Sequence, residues 1–329
     1  MLKAKIAGAG RYLPERRVTS AALAARLNVS EDWILRAAGV CERRWVAGET
    51  SAEMGARAAT EALAAAGIEA DQVDLILGAS TVPQQGIPCT AVLIQRELGI
   101  AASRCACCDV NATCLSGLYA LQMAALMVDS GLYRAVLVVS SEIASPFIDA
   151  SNPESFVLFG DGAGALVVTR AEAGEESALI HARFEADSCG AELTTYRGGG
   201  SLYRPNDPTT PPEFNWFSMQ GPAVFKMAAR ATEPFLNAFF VDAGATRDAV
   251  DAVVPHQASV HGLELLTKRL GFRPGQVVAT LQRYGNCGAA SIPIALAEAI
   301  EQGRIRRGHR LLLAGTGAGF AIGAMLLTY

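Results

Sequence analysis

Clustered positive charge is missing from this chain, and so is any long apolar run. Lys and Arg number 28 against 32 Asp and Glu, for a formal net charge of −4, and no basic stretch is interleaved with aromatics. A nucleic-acid surface needs clustered cations to neutralise phosphates, so that class of partner is excluded. Gly, Ser, Arg or Asp breaks every apolar stretch before the roughly 20 residues of a membrane span are reached. The N-terminal MLKAKIAGAGRYLPERR lacks the charged start and apolar core of a signal peptide and predicts a first strand. A cytoplasmic protein is expected.

Histidine is scarce, at four residues, and no Cys/His pattern has metal-ligand spacing beyond a lone CxxC in SRCACCD (103–109). That run leads into apolar Val110 with no second CxxC and no nearby His, so Cys105, Cys107 and Cys108 are expected to be buried strand cysteines. Eight cysteines in a chain of 329 residues, too large to need disulfide staples, fit a reducing compartment. A dinucleotide fingerprint is absent too. GAGRYLPE (8–15) has Pro14 where a third Gly belongs, and FGDGAGA (159–165) is expected to bend between apolar strands rather than cradle phosphate.

What the chain has is apolar material, 51% of its residues, enough for one large core or two joined ones. Strand-like runs at 73–80, 134–142, 162–170, 250–256 and 310–317 alternate with helix-like stretches at 49–67, after Cys114, and at 224–244, 260–271 and 291–303. This is an α/β pattern. The order of events repeats: strand, helix, NATC, helix, strand and a Gly-rich run in the first half, then strand, helix, YGNC, helix, strand and GTGAG in the second. Two copies of a βαβ-rich unit are implied, residues 1–170 and 171–329, and packing about a pseudo-twofold brings their loops to one place. Between the two repeated runs of motifs, 196–220 is rich in Gly, Pro, Asn and Thr, either a linker or a cover over a cleft that carries Tyr203, Phe214, Trp216 and Phe217.

Cys114 precedes an apolar helix whose free N–H groups and dipole favour a thiolate, although cysteine in such a position is also a common packing residue. His256, in VVPHQAS, ends an apolar strand where α/β folds hold catalytic groups; the alternative is a histidine satisfied by local hydrogen bonds. Asn286, in YGNCGAAS, takes the matching pre-helical turn of the second half and offers an uncharged donor, or else caps that turn. GTGAGFAIG (315–323) allows close backbone approach and free N–H groups, as an oxyanion hole requires.

In this order EDWILRAAGVCERRW (31–45), NATCLSG, LFGDGAGA, the VFK of GPAVFKMA, PHQAS, YGNCGAAS and GAGFAIG resemble the β-ketoacyl-acyl carrier protein synthase III group of the thiolase superfamily. The resemblance implies a thiolase-like fold of two duplicated halves in five layers, α-β-α-β-α. It implies a Cys114–His256–Asn286 triad and an oxyanion hole from the N–H groups of Cys114 and Gly319. No cofactor is implied. The substrates would be coenzyme A or carrier-protein thioesters: an acyl thioester to load Cys114 and malonyl-acyl carrier protein to extend it, in a homodimer.

Substrate contacts implied by the same resemblance are Trp33, Arg36, Ile87 and Phe320, and carrier-protein docking is implied for Lys226, His261, Lys268 and Arg269. Several positions depart from the family. Ala37 stands where a phosphate-binding Arg is usual, with Arg36 one place early, and Pro153 stands where another Arg supports adenine. HQAN becomes HQAS at Ser259, and Ile87 replaces a Phe that caps the acyl pocket across the dimer, which points to a longer or branched primer. Two further activities fit parts of the pattern: acyl transfer to a hydroxyl or amine of a small molecule, and a non-catalytic partner subunit. The intact triad opposes the latter. Cys287, beside Asn286, raises a thiolase proper, which the His–Asn pair disfavours, and chalcone-synthase-like enzymes are longer.

Overall fold

The computed structural model describes residues 1–329, except for the side chain of Pro274. In chain order the elements that build the site begin with β1 (Ala4–Tyr12), α1 (Ser51–Ala66), β2 (Leu75–Gly78) and α2 (Thr90–Glu97). They continue with β3 (Ala106–Asp109), α3 (Ser116–Asp129), β4 (Ala135–Glu142) and β5 (Gly162–Arg170). The rest are β6 (Ala178–Ala186), α4 (Gly221–Asp242), β7 (Ala252–Pro255), α5 (Val260–Glu264), α6 (Ser291–Glu301), β8 (Arg310–Gly317) and β9 (Ala321–Thr328).

Two mixed sheets result. One has the order β1-β5-β4-β2-β3, with β4, β2 and β3 parallel; the other has the order β7-β8-β9-β6, with only β7 and β8 parallel. Alternate residues of each strand point to opposite faces, and both faces are apolar. Leu75, Leu77, Val136 and Val138 face inward with Leu311 and Leu313 of the second sheet, and α3 and α6 fill the space between through Leu118, Leu121, Ile292 and Leu296. Ile76, Leu137 and Val139 face outward under Ala59, Ala62 and Leu63 of α1 and Ile94 of α2. Val253, Leu312 and Ala324 face outward under Phe235, Leu236 and Phe239 of α4. The five layers are therefore α-β-α-β-α, a thiolase-like fold. Each fully buried Leu or Val contributes about 1.5–3 kcal/mol.

Local chemistry explains the element ends. Thr50 and Glu53 form a capping box at the start of α1, and Gly67 closes it in the left-handed region at φ 65°. The run at 159–165 departs from the expected bend: from Gly162 it is strand interior, because a Cβ on Gly164 would lie 2.6 Å from Cβ of Pro293. The glycines let α6 lie directly on β5. The helix expected over 260–271 narrows to α5 and continues as a wide π turn, Leu265–Arg269, which delivers both Leu266 and Leu270 to the outer core. Cys105, Cys107 and Cys108 do lie at or on a strand, but they are not buried. β3 pairs on one side only, so Cys105 and Cys107 are half-buried and Cys108 is exposed. Among the described residues no group of three or more His, Cys, Asp or Glu is placed to hold a metal ion, and no helix is long and apolar enough to cross a membrane.

Candidate active site

The turn that presents Cys114 is over-determined by hydrogen bonds. Asn111 Oδ1 accepts from the Thr113 N–H at 2.9 Å while its Nδ2 donates to the Thr81 carbonyl at 3.0 Å. Ser116 Oγ accepts from the Ala112 N–H at 2.9 Å and donates to the Thr113 carbonyl at 2.6 Å. These bonds hold Thr113 at φ 52°, a conformation that is an outlier for a β-branched residue. Cys114 is half-buried at the end of this turn, two residues before α3 begins.

The β8–β9 hairpin approaches the same turn through glycines. A Cβ on Gly317 would stand 2.6 Å from Thr113 Oγ1, and one on Gly315 would stand 2.7 Å from His256 Cβ and 3.3 Å from Leu115. No larger residue fits at either position. β8 ends at Gly317, and Thr113 Oγ1 donates to the Ala318 carbonyl at 3.4 Å, so it is the Ala318 backbone that lies against the Cys114 turn and favours the thiolate. This corrects the expectation of Gly319. At φ 80° Gly319 makes the hairpin turn, one position beyond Ala318.

The environment of the sulfur also departs from the expectation of a lowered thiol pKa. Burial, and then the Glu142 carboxylate, push Cys114 up to about 12, against the favourable N–H groups of Ala318 and of Cys114 itself. Desolvation outweighs the helix terminus. Glu142 is itself buried at the end of β4, with Oε1 accepting from the Thr81 N–H at 2.6 Å and the Ala289 N–H at 3.1 Å. Burial raises it to about 7. A Cβ on Gly288 would lie 3.1 Å from its carboxyl carbon, so Glu142 joins the Cys114 region to the segment that carries Asn286.

His256 follows β7, and its N–H donates to the Ala314 carbonyl at 2.8 Å. Burial lowers its pKa to about 4, so the imidazole is neutral at pH 7. Its Nδ1 is buried without a partner among the described residues, which leaves Nε2 as the nitrogen able to meet a substrate. Gln257 fixes the neighbourhood: its Nε2 donates to the Pro255 and Val278 carbonyls, and its Oε1 accepts from the Thr280 and Leu281 N–H groups. Asn286, 5% exposed, has Oδ1 engaged by the Gly288 N–H at 2.9 Å, which turns the donating Nδ2 end outward from that bond. Its backbone is pinned to Leu158 and Gly160. Cys287 is different: its thiol faces the Tyr284 carbonyl at 3.5 Å and burial raises its pKa, so it is a packing residue.

The peripheral expectations fare unevenly. Trp33 is half-buried in the cluster around Ile34 and Phe156, and Arg36 is exposed and paired with Asp32 on its own helix. Phe320 is buried with its Cβ against Gly190, bracing the hairpin, and its carbonyl accepts from the Asp187 N–H. Ile87 is 89% exposed, so within one chain it caps nothing. Lys226 follows Phe225, whose ring lies 6.0 Å from that of His261, while Lys268 and Arg269 are paired with Glu264 and Glu233. Those two cations are partly neutralised. Glu142, Gln257 and Ala318 went unassigned in the sequence; an acid closing the strand-like run AVLVVSS, apolar through Val139, is the signal that would have found the first.

Two family models match the chain: 3-oxoacyl-[acyl-carrier-protein (ACP)] synthase III over residues 108–188 and its C-terminal domain over residues 240–329. The β-ketoacyl-[acyl-carrier-protein] synthase III of Neisseria meningitidis is 38% identical over the full length of both chains. The crystal structure of the 3-oxoacyl-[acyl-carrier-protein] synthase III from Aquifex aeolicus superposes with a TM-score of 0.89 at 36% identity, covering 99% of this chain and 100% of that one. That of the Thermus thermophilus enzyme gives 0.89 at 33%, covering 99% of each. The chain belongs to the β-ketoacyl-[acyl-carrier-protein] synthase III family of acyltransferase-type condensing enzymes.

Proposed function

We propose that Cys114 is the acyl-carrying nucleophile and that His256 and Asn286 act on the extending thioester. The observation that carries this reading is the packing of the β8–β9 hairpin on both the Cys114 turn, where Thr113 Oγ1 donates to the Ala318 carbonyl at 3.4 Å, and His256, which is neutral, together with an asparagine whose amide donor is free. In the first step the sulfur attacks an acyl thioester. The N–H groups of Cys114 and Ala318 hold the tetrahedral oxyanion, and the departing thiol of coenzyme A or a carrier protein takes the Cys114 proton.

In the second step a malonyl thioester loses carbon dioxide, and the electron pair of the broken C–C bond passes to the α-carbon. Nε2–H of His256 and Nδ2–H of Asn286 stabilise the enolate oxygen; neither carries a net charge, so decarboxylation is not suppressed by a trapped carboxylate. The α-carbon attacks the acyl group, the C–S bond to Cys114 breaks, and the thiolate regains a proton. A 3-oxoacyl thioester leaves.

The halves 1–170 and 171–329 supply different parts: the first carries Cys114, the second His256, Asn286 and the hairpin. A homodimer is part of the proposal, supported by the exposed Ile87 and the half-paired edge strand β3. Lys226 and His261 are the proposed carrier-docking residues, with Lys268 and Arg269 adding less because each has an acidic neighbour. Eight free cysteines support a cytoplasmic setting.

Intact-mass measurement after exposure to a panel of acyl-coenzyme A and acyl-carrier donors, followed by malonyl-acyl carrier protein, tests the reading. An acyl adduct on Cys114 that is discharged with release of carbon dioxide and a 3-oxoacyl product is expected. An adduct discharged by small alcohols or amines but never by malonyl-carrier would contradict it.

A further inference from the structure

A recess of about 80 Å³ opens at His256 and runs outward beneath α4, away from the core layer. By the same measure one water needs ~10–15 Å³, so the space suits a short alkyl group. Its walls include Thr232 of α4, Gly262 of α5, Leu266, Thr316 and Ile322, and no charged side chain lines it. The Thr232 hydroxyl is spent on the Ala228 carbonyl at 2.7 Å, so it offers the recess its methyl side. We propose that this recess is a side pocket for an alkyl branch on the α-carbon of the extending thioester, so that the chain condenses 2-alkylmalonyl thioesters in addition to malonyl.

The assignment rests on the reading that His256 holds the extender's thioester oxygen. The carbon bearing that oxygen is bonded to the α-carbon, so the first atom of a substituent there lies three bonds from the oxygen that His256 fixes. Cys114 does not line the recess, which separates it from the acyl chain on the sulfur. The two amides of a pantetheine arm would find only the Thr316 hydroxyl and the His256 imidazole in an otherwise apolar lining, so most of their desolvation would go uncompensated. Space is kept open by small residues: a Cβ on Gly262 would meet only Ser259 Oγ, at 3.6 Å. The step balances as in the unbranched case. The C–C bond to the carboxylate breaks and releases carbon dioxide, its electron pair forms the new bond to the acyl carbon, and the Cys114 thiolate leaves and is protonated. The product is a 2-alkyl-3-oxoacyl thioester.

Each methylene buried in such a pocket is worth about a fourfold gain in kcat/KM. Enzyme pre-loaded on Cys114 is given malonyl-, methylmalonyl- or ethylmalonyl-carrier thioester, and carbon dioxide and product mass are followed. The branched extenders are expected to match or exceed malonyl. Gly262→Leu, which fills the recess from α5, and Thr232→Phe, which fills it from α4, should each lower the ethylmalonyl-to-malonyl ratio of kcat/KM by at least tenfold. Turnover of malonyl with none of the branched extenders, or an unchanged ratio in both variants, would overturn the pocket while leaving the condensation reading standing. No turnover of any extender by the loaded enzyme would overturn the condensation reading and the pocket with it.

Discussion

At the scale of single residues, Cys114 is held as a thiol between two opposing influences. Its own N–H and that of Ala318 favour the anion; burial and the Glu142 carboxylate oppose it, and the opposition prevails. Glu142 titrates at about 7, so above that pH its charge faces the sulfur, with buried Cys287 as the other thiol it raises. Glu142→Gln keeps an oxygen for the Thr81 and Ala289 N–H groups and removes only the charge. The pH profile of Cys114 alkylation by iodoacetamide should then shift to lower pH, with a several-fold faster rate at pH 8. An unmoved profile with an intact fold would show that the carboxylate does not act on the sulfur. The sequence displayed the Cys, His and Asn because each sits in a short polar motif after an apolar run. It hid the choice between Gly319 and Ala318, since GTGAGF does not disclose where the strand ends and the hairpin starts.

At the scale of elements, the burial of β2, β4, β7 and β8 on both faces was readable as apolar runs, and α1 was readable from its capping box and closing Gly67. What periodicity does not carry is which strand lies at an edge. SRCACCD has the composition of a buried strand, yet β3 has a neighbour on one side only and leaves a row of backbone groups unpaired. Such an edge invites pairing with another chain. A second copy would cover β3 and place Ile87 against protein instead of water, which gives an 89% exposed isoleucine a partner. Sedimentation velocity should therefore report twice the 34.5 kDa chain mass at micromolar concentration. A species at the single-chain mass across that range would leave Ile87 and β3 without the role assigned to them.

At the scale of the whole molecule, the two sheets and the helices between them fold one chain so that distant segments meet. Leu115, directly after Cys114, and His256 both lie against Gly315, while Glu142 joins Thr81, which holds the Cys114 turn, to the loop after Asn286. The repeated order of motifs was the reason to expect this convergence; Gln257, which helps lock it, acts through hydrogen bonds to Val278, Thr280 and Leu281 that no local pattern announces. The division of labour between the halves is the central claim, and single-turnover kinetics of His256→Ala and Asn286→Ala test it most directly. Both variants should still form the acyl adduct on Cys114 within a few-fold of the normal rate, while release of carbon dioxide from malonyl-carrier falls by about 10²-fold or more. Loss of adduct formation in folded variants, or condensation at the normal rate, would contradict the account.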